Sequence, residues 1–273
     1  MAMTPAVNAP GTLSDIAHVY LFAFALSLPR AYAMFSFVPI TTRLGLPELL
    51  RATTVLAIML PVIEPFAEEI RKVPEMTAFT LAALCIKEAV IGIMLGLVLG
   101  LPFWALEVAG NILDFVRQAP DAQLQDPQGT TESSITGTLL SIFVIFVFLA
   151  YGGFGILTDV VYTSFGAWPM LELAPALATD AVLKFGPLLD KLFRMALVLA
   201  APVLAMILLA FLILIMIARF VPQINVFDLS MSARNIAFFI ALPIYLVFVL
   251  DYLMPELAAT KTVVETVRAF LHG

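Results

Sequence analysis

The sequence predicts an all-α, membrane-associated bundle of long, kinked hydrophobic helices with short amphipathic helices between them. Three observations carry that prediction. Of 273 residues, 62% are hydrophobic and 12% charged, with mean hydropathy +1.04, whereas a soluble domain is nearer half apolar and a quarter charged. Apolar runs of helical length recur along the chain, interrupted by proline or short charged stretches. No period-two alternation competes with them.

Taken in order, Ser14 or Asp15 can cap a first helix whose apolar run goes from Ile16 towards Ile40, interrupted at Pro29-Arg30 and ended or kinked at Pro39. No positively charged segment precedes it, so it is expected to remain in the mature protein. A run over 52–63 is too short to cross a bilayer. In "EPFAEEIRKVPEM", Phe66, Ile70 and Val73 at helical spacing predict a separate amphipathic surface helix. The chain is then apolar from Thr77 to Leu106, apart from Lys87-Glu88. Residues 107–134 form the longest polar stretch. Ile135–Thr158 is uncharged and long enough to span, with "YGGFG" loosening its end. "AWPMLELAP" reads as an interfacial turn with Trp168 at a boundary. An amphipathic segment to Lys191 precedes a second uncharged run, Met195–Ala218. A last apolar helix covers about 236–250, and the tail from Glu256 is amphipathic, with Val264, Val267 and Leu271 on one face and Lys261 able to pair with Glu265.

Charge and motifs exclude several classes. Net charge is −6 with no basic run, so nucleic acid is not a partner. The single Cys85 excludes an internal disulfide, and His18 and His272 lie at opposite ends of the chain, which disfavours a metal site or a histidine triad. No P-loop, HExxH or GxSxG is present. The expected protein is therefore not an enzyme and uses no cofactor. Basic residues are spread through most loops beside acids, such as Lys191 beside Asp190. Either the topology is weakly biased, or some apolar helices are buried against protein and never meet lipid.

Four groups of residues stand out. Gly92, Gly96 and Gly100 recur every fourth position and let another helix approach closely, either within the chain or from another subunit. Lys87 and Glu88 lie inside an apolar run. They read as an ion or proton site, or as a structural or intersubunit ion pair, and Arg194 and Asp251 near helix ends carry the same two readings. Sequence neighbours point about 100° apart on a helix, so Lys87 and Glu88 need not pair with each other. The stretch from Gly110 to Ser134 mixes Phe115, Val116 and Leu124 with Arg117, Gln118, Gln123 and Gln125, more apolar than a solvated connector needs. The fourth group is the polar interruption "RFVPQINVFDLS", in which Arg219 suits a helix C-terminus and Asp228 can cap the last helix.

The last group resembles the SctT/FliR family of type III secretion export-apparatus subunits. Arg219, Pro222, Gln223, Asn225 and Phe227 stand in the family's Arg-x-x-Pro-Gln-x-Asn-x-Phe arrangement. The polar loop, with Gly110 near its start and Asp126-Pro127 near its end, and the order of apolar runs add to the likeness. Residues 1–15 lie outside it as a flexible N-terminus. The resemblance implies bent helical hairpins packed on SctR-like and SctS-like subunits, with an SctU-like neighbour, at the bacterial inner membrane and partly raised towards the periplasm. It implies an SctR-like part over about 16–190 and an SctS-like part over about 191–273. It also implies that the loop over about 110–128 projects into the lumen as a plug for a pore that passes unfolded proteins. "DLSMS" after Phe227 and the Gln- and Asp-rich loop favour the injectisome branch, SctT, over the flagellar one. Pro222 would end one helix, and Arg219 would hold carbonyls or a carboxylate at an interhelix or intersubunit joint; the other reading is a solvated turn. A secondary transporter or ion-coupled permease is the competing class.

Overall fold

The computed structural model describes residues 13–73, 77–117, 123–125, 132–172, 181–221, 223, 225–259 and 262–272. Of the expected flexible N-terminus, residues 1–12 lie outside that set. The fold is all-α, as the apolar runs predict. Its helices are α1 (Leu13–Phe37), α2 (Pro39–Arg43), α3 (Glu48–Ile70), α4 (Ala78–Val116), α5 (Ile135–Ala150), α6 (Gly153–Ala167), α7 (Ala181–Phe220), α8 (Val226–Ala259) and α9 (Val263–His272). One short antiparallel ribbon, β1 (Gln123–Gln125) with β2 (Glu132–Ser134), lies in the polar stretch, Leu124 opposite Ser133. Among the described residues five helices, α1, α3, α4, α7 and α8, are long and apolar enough to cross a membrane, and the broken pair α5–α6 makes up to six.

The elements differ from expectation mainly at proline. Pro29 does not interrupt α1, and Pro61 and Pro65 lie inside α3, so the short run and the separate surface helix are one 23-residue helix. Pro187 and Pro202 likewise join the amphipathic segment and the uncharged run into α7. A proline inside a helix frees the carbonyl four residues earlier, and neighbouring helices can satisfy it. Pro29 frees Ala25 O, which accepts the Cys85 thiol of α4 at 3.5 Å. Pro61 frees Ala57 O; the neighbouring Ile58 O accepts the Tyr162 hydroxyl of α6 at 2.6 Å. Pro39 does behave as expected: it opens α2 after the extended Val38.

Other boundaries also move. The uncharged run from Ile135 is two helices, because Gly152 takes φ +79° and stops α5 at Ala150. Helix α8 starts at Val226, ten positions before the expected Ile236, since "DLSMSARN" holds no helix breaker. Asp228 therefore lies in the first turn and is not the cap; Asn225 precedes the helix, its carbonyl accepting Leu229 N at 3.3 Å. An acid in that turn still suits the helix dipole.

Two compact units are interleaved along the chain. The first comprises Met1–Gly100, Phe154–Leu183 and Lys261–Gly273, and the second Leu101–Gly153 and Lys184–Thr260. In the first unit α1 packs along α3, and the Phe66 and Phe165 rings meet edge to face at 4.8 Å. Helix α4 closes on α1 through Gly92 and Gly96. A Cβ on Gly92 would fall on Arg30 O and 2.9 Å from Ala33 Cβ; one on Gly96 would lie 2.7 Å from Phe37 Cβ. Gly100 is buried. Val263, Val264 and Val267 form the buried face of α9; Lys261 lies outside the described residues. In the second unit Phe103 and Phe148 pack edge to face at 5.4 Å. Helix α7 leaves Leu208, Leu212, Ile213 and Met216 exposed, as does α8 for Phe239, Ile240 and Ile244.

Candidate functional site

The polar stretch between α4 and α5 is narrower than its sequence indicates. Helix α4 continues to Val116, and α5 begins directly after β2. The part of α4 from Leu101 onward and α5 both belong to the second unit, where their backbones meet at glycine. A Cβ on Gly110 would fall on the backbone of Gly137 and 2.7 Å from Thr136 C. Close approach of the two helices lets short side chains bridge them.

Asp114 is the hub of that bridge. Its Oδ1 accepts Arg117 Nε at 2.8 Å, with Arg117 Nη2 at 2.7 Å. Its Oδ2 accepts the Thr136 amide at 2.9 Å and the Ser134 hydroxyl. Ser134 is the N-cap of α5 and accepts Gly137 N at 2.9 Å. Arg117 Nη2 also donates to Thr136 Oγ1 at 3.1 Å, and the guanidinium lies 4.4 Å from the Phe238 ring centroid. Both charges are buried. One carboxylate thus ties the end of α4 to the start of α5. Arg234 of α8 adds a cap, donating to Val116 O at 3.1 Å while stacking on Phe211 at 4.2 Å; a cation there suits the helix dipole.

The expected plug residues separate under this geometry. Phe115 is 85% exposed on the last turn of α4, and Val116 is half-buried. Arg117 turns inward and holds the stem, because its donors match Asp114 and Thr136. Gln123 and Leu124 lie on β1; their side chains, and all of Gln118, Asp126 and Pro127, fall outside the described residues. At the closing turn Arg219 is exposed in the last turn of α7, and Gln223 and Asn225 are exposed beyond it. Pro222 and the side chains of Phe227 and Asp228 lie outside the described residues. Among the described residues, Arg234 of α8 grips a backbone carbonyl, Val116 O.

Lys87 and Glu88, adjacent on α4, do pair, Nζ lying 2.7 Å from Oε1. They belong to a buried cluster in the first unit. Arg30 of α1 donates Nε to Glu88 Oε2 at 2.6 Å, Nη1 to Ser164 Oγ at 3.0 Å and Nη2 to Trp168 O at 3.0 Å, with its guanidinium 4.0 Å from the Phe165 centroid. Lys87 Nζ donates to Pro169 O at 2.9 Å and to Met170 O and Glu172 O at 3.0 Å each. Trp168 is buried beside it. Arg194 pairs with Asp190 at 2.9 Å, so Lys191 turns to Glu256 at 2.8 Å; Asp251 is exposed.

Sequence reasoning missed Arg30, Asp114, Ser134, Thr136 and Arg234. Signals for three of them existed. An arginine within an apolar run is costly and so significant. Asp114 and Arg117 are opposite charges at helical spacing. Ser134 before an apolar run is an N-cap.

Among the described residues no group of three or more His, Cys, Asp or Glu could hold a metal ion. Residues 21–259 match the family described as "Bacterial export proteins, family 1". "Yop proteins translocation protein T" of Yersinia pestis is 35% identical over 234 residues, covering 85% of this chain and 89% of that protein. "Surface presentation of antigens protein SpaR" of Salmonella typhimurium is 29% identical over 219 residues, 80% of each chain. "Flagellar biosynthetic protein FliR" of Bacillus subtilis is 29% identical over 160 residues, 58% of this chain and 62% of that one. The long apolar helices together with this match mark a membrane protein. A match across residues 21–259, over the same helices that carry the buried clusters and the closing turn, places the chain in bacterial export protein family 1, the SctT/FliR family.

Proposed function

We propose that this chain is a non-enzymatic pore or gate subunit of a type III secretion export apparatus at the bacterial inner membrane, partly raised towards the periplasm, through which unfolded proteins pass. The observation that carries this reading is the 35% identity to a Yersinia translocation protein over 85% of the chain. It favours the injectisome branch; the flagellar relative from Bacillus subtilis matches over 58%. SctR-like, SctS-like and SctU-like subunits are the partners, and the apolar faces left open on α7 and α8 meet them or lipid. The chain combines an SctR-like part, about 16–190, with an SctS-like part from about 191.

The mechanism is steric. The α4–α5 loop is the plug, and the stem at Asp114 supports that role because it starts and finishes the loop at one fixed point. Phe115, exposed beside the stem, offers an apolar surface to a narrow lumen. Transport energy comes from another component. Replacing residues 118–131 by a short flexible linker, with Asp114, Arg117, Ser134 and Thr136 kept, should raise resting ion conductance through the pore assembled with its partners. Unchanged conductance in a normally assembled pore removes the plug. Solute transport by the lone purified chain in liposomes would instead support a permease.

A further inference from the structure

The cluster at Lys87 belongs to the first unit and contains more than a buried ion pair. Two cations, Arg30 and Lys87, face one carboxylate, Glu88, with all three side chains at most 7% exposed. A buried charge is costly without compensation. For Lys87 the compensation comes from one short segment. An ammonium carries three donors and no acceptor. Pro169, Met170 and Glu172 supply three carbonyls at 2.9–3.0 Å. Glu88 Oε1 adds an ion contact at 2.7 Å without serving as an aligned hydrogen-bond partner. A neutral amine, with two donors, would leave one carbonyl unmatched.

The segment so held follows α6. The chain leaves that helix at Ala167, Trp168 N bonds back to Ser164 O at 2.9 Å, and Arg30 takes Trp168 O at 3.0 Å. From Pro169 to Glu172 one backbone hydrogen bond is formed among the described residues, Glu172 N to Pro169 O at 3.4 Å, a weak one. The turn is therefore folded around a cation and not around its own ladder.

We propose that Lys87 is a tethered cation that shapes the Pro169–Glu172 turn, in the way a bound monovalent ion organises a ring of carbonyls, and so fixes the path of the chain as it leaves α6. Lys87 is a positioning residue whose charge and donors, and not its packing volume, do this. The role is independent of the plug.

The test uses the full chain in detergent and reads cleavage by a glutamate-specific protease at the exposed Glu172, with mass spectrometry to assign the cut and cuts at other glutamates as internal controls. Lys87→Met keeps the bulk and removes the charge; cleavage at Glu172 should rise about tenfold or more, the change in an opening equilibrium that about 1.4 kcal/mol produces. Lys87→Ala should behave alike and be slowed again by propylammonium, which carries the three carbons and the ammonium that the substitution removes. Tetramethylammonium, which has no N–H donor, should have no effect. The proposal is overturned if Lys87→Met is cut at the parent rate, if propylammonium does not protect Lys87→Ala, or if tetramethylammonium protects it equally.

Discussion

The two buried ion clusters among the described residues differ in what they join. In the first unit Arg30, Glu88 and Lys87 gather from α1 and α4 onto the end of α6, linking residues 58 to 138 positions apart. In the second, Asp114 and Arg117 are one helical turn apart and, among the described residues, reach no further than Ser134 and Thr136 for hydrogen bonds. The first arrangement fixes packing between helices, and the second closes one loop. Both place their charge where backbone groups lack helical partners: α6 ends in carbonyls, and α5 begins with amides. In a chain this apolar, ionised side chains serve as caps supplied from a neighbouring helix, since little water is available for helix ends.

If the first cluster determines packing, its disruption gives the largest effect. Glu88→Leu leaves Arg30 and Lys87 buried without their carboxylate. Removing one partner of a buried pair costs about 3–5 kcal/mol. The full chain should lose thermal stability in detergent and accumulate poorly in membranes. Adding Arg30→Met removes one of the stranded charges and should recover part of the loss. A Glu88→Leu chain that melts with the parent would reduce this cluster to the rank of a local cap, and the contrast with Asp114 would disappear.

What was legible in the sequence follows the same physics. Helix class and order came from apolar periodicity, a property of each segment alone. Proline positions are misleading, because a freed carbonyl can be satisfied by a residue far along the chain, as Cys85 does for Ala25. No local pattern announces such partners. The glycines at 92 and 96 were readable as a close approach, yet only the fold shows α1 as what approaches. The polar loop was visible as a region. Its stem was not, because Asp114 reads as an ordinary loop acid until α4 is known to continue through it. Arg219 drew attention from its motif, whereas Arg234, sitting in an unremarked stretch, is the residue that reaches Val116.

The middle effect belongs to the stem. Asp114→Ala removes the acceptor for Arg117, Ser134 and the Thr136 amide together. Lost bonds to a charged group cost about 1–3 kcal/mol. The damage should stay local, because every partner among the described residues lies on the stem. Amide hydrogen exchange should speed up at Thr136 by about tenfold or more, while amides of α1 and of α4 around Gly92 keep the parent rates. Equal acceleration in both units would mean that this carboxylate too supports global packing, and the distinction drawn between the clusters would fail.

The smallest effect is expected at Lys191 and Glu256, which pair at 2.8 Å with side chains 47% and 29% exposed. An exposed pair of this kind contributes about 0–1 kcal/mol and is weakened by salt. A double-mutant cycle with Lys191→Ala and Glu256→Ala on the isolated chain should give a coupling in that range, shrinking as salt is added. The same cycle in the complete assembly sharpens the comparison. These residues sit beside the apolar face of α7, where Leu189, Phe193 and Leu197 are exposed. If another subunit covers that face, the pair loses solvent, its coupling grows and its salt dependence disappears. It would then join the buried clusters in kind. A coupling identical in both preparations would leave this end of α7 open to solvent, and the covering subunit would have to lie further along the helix.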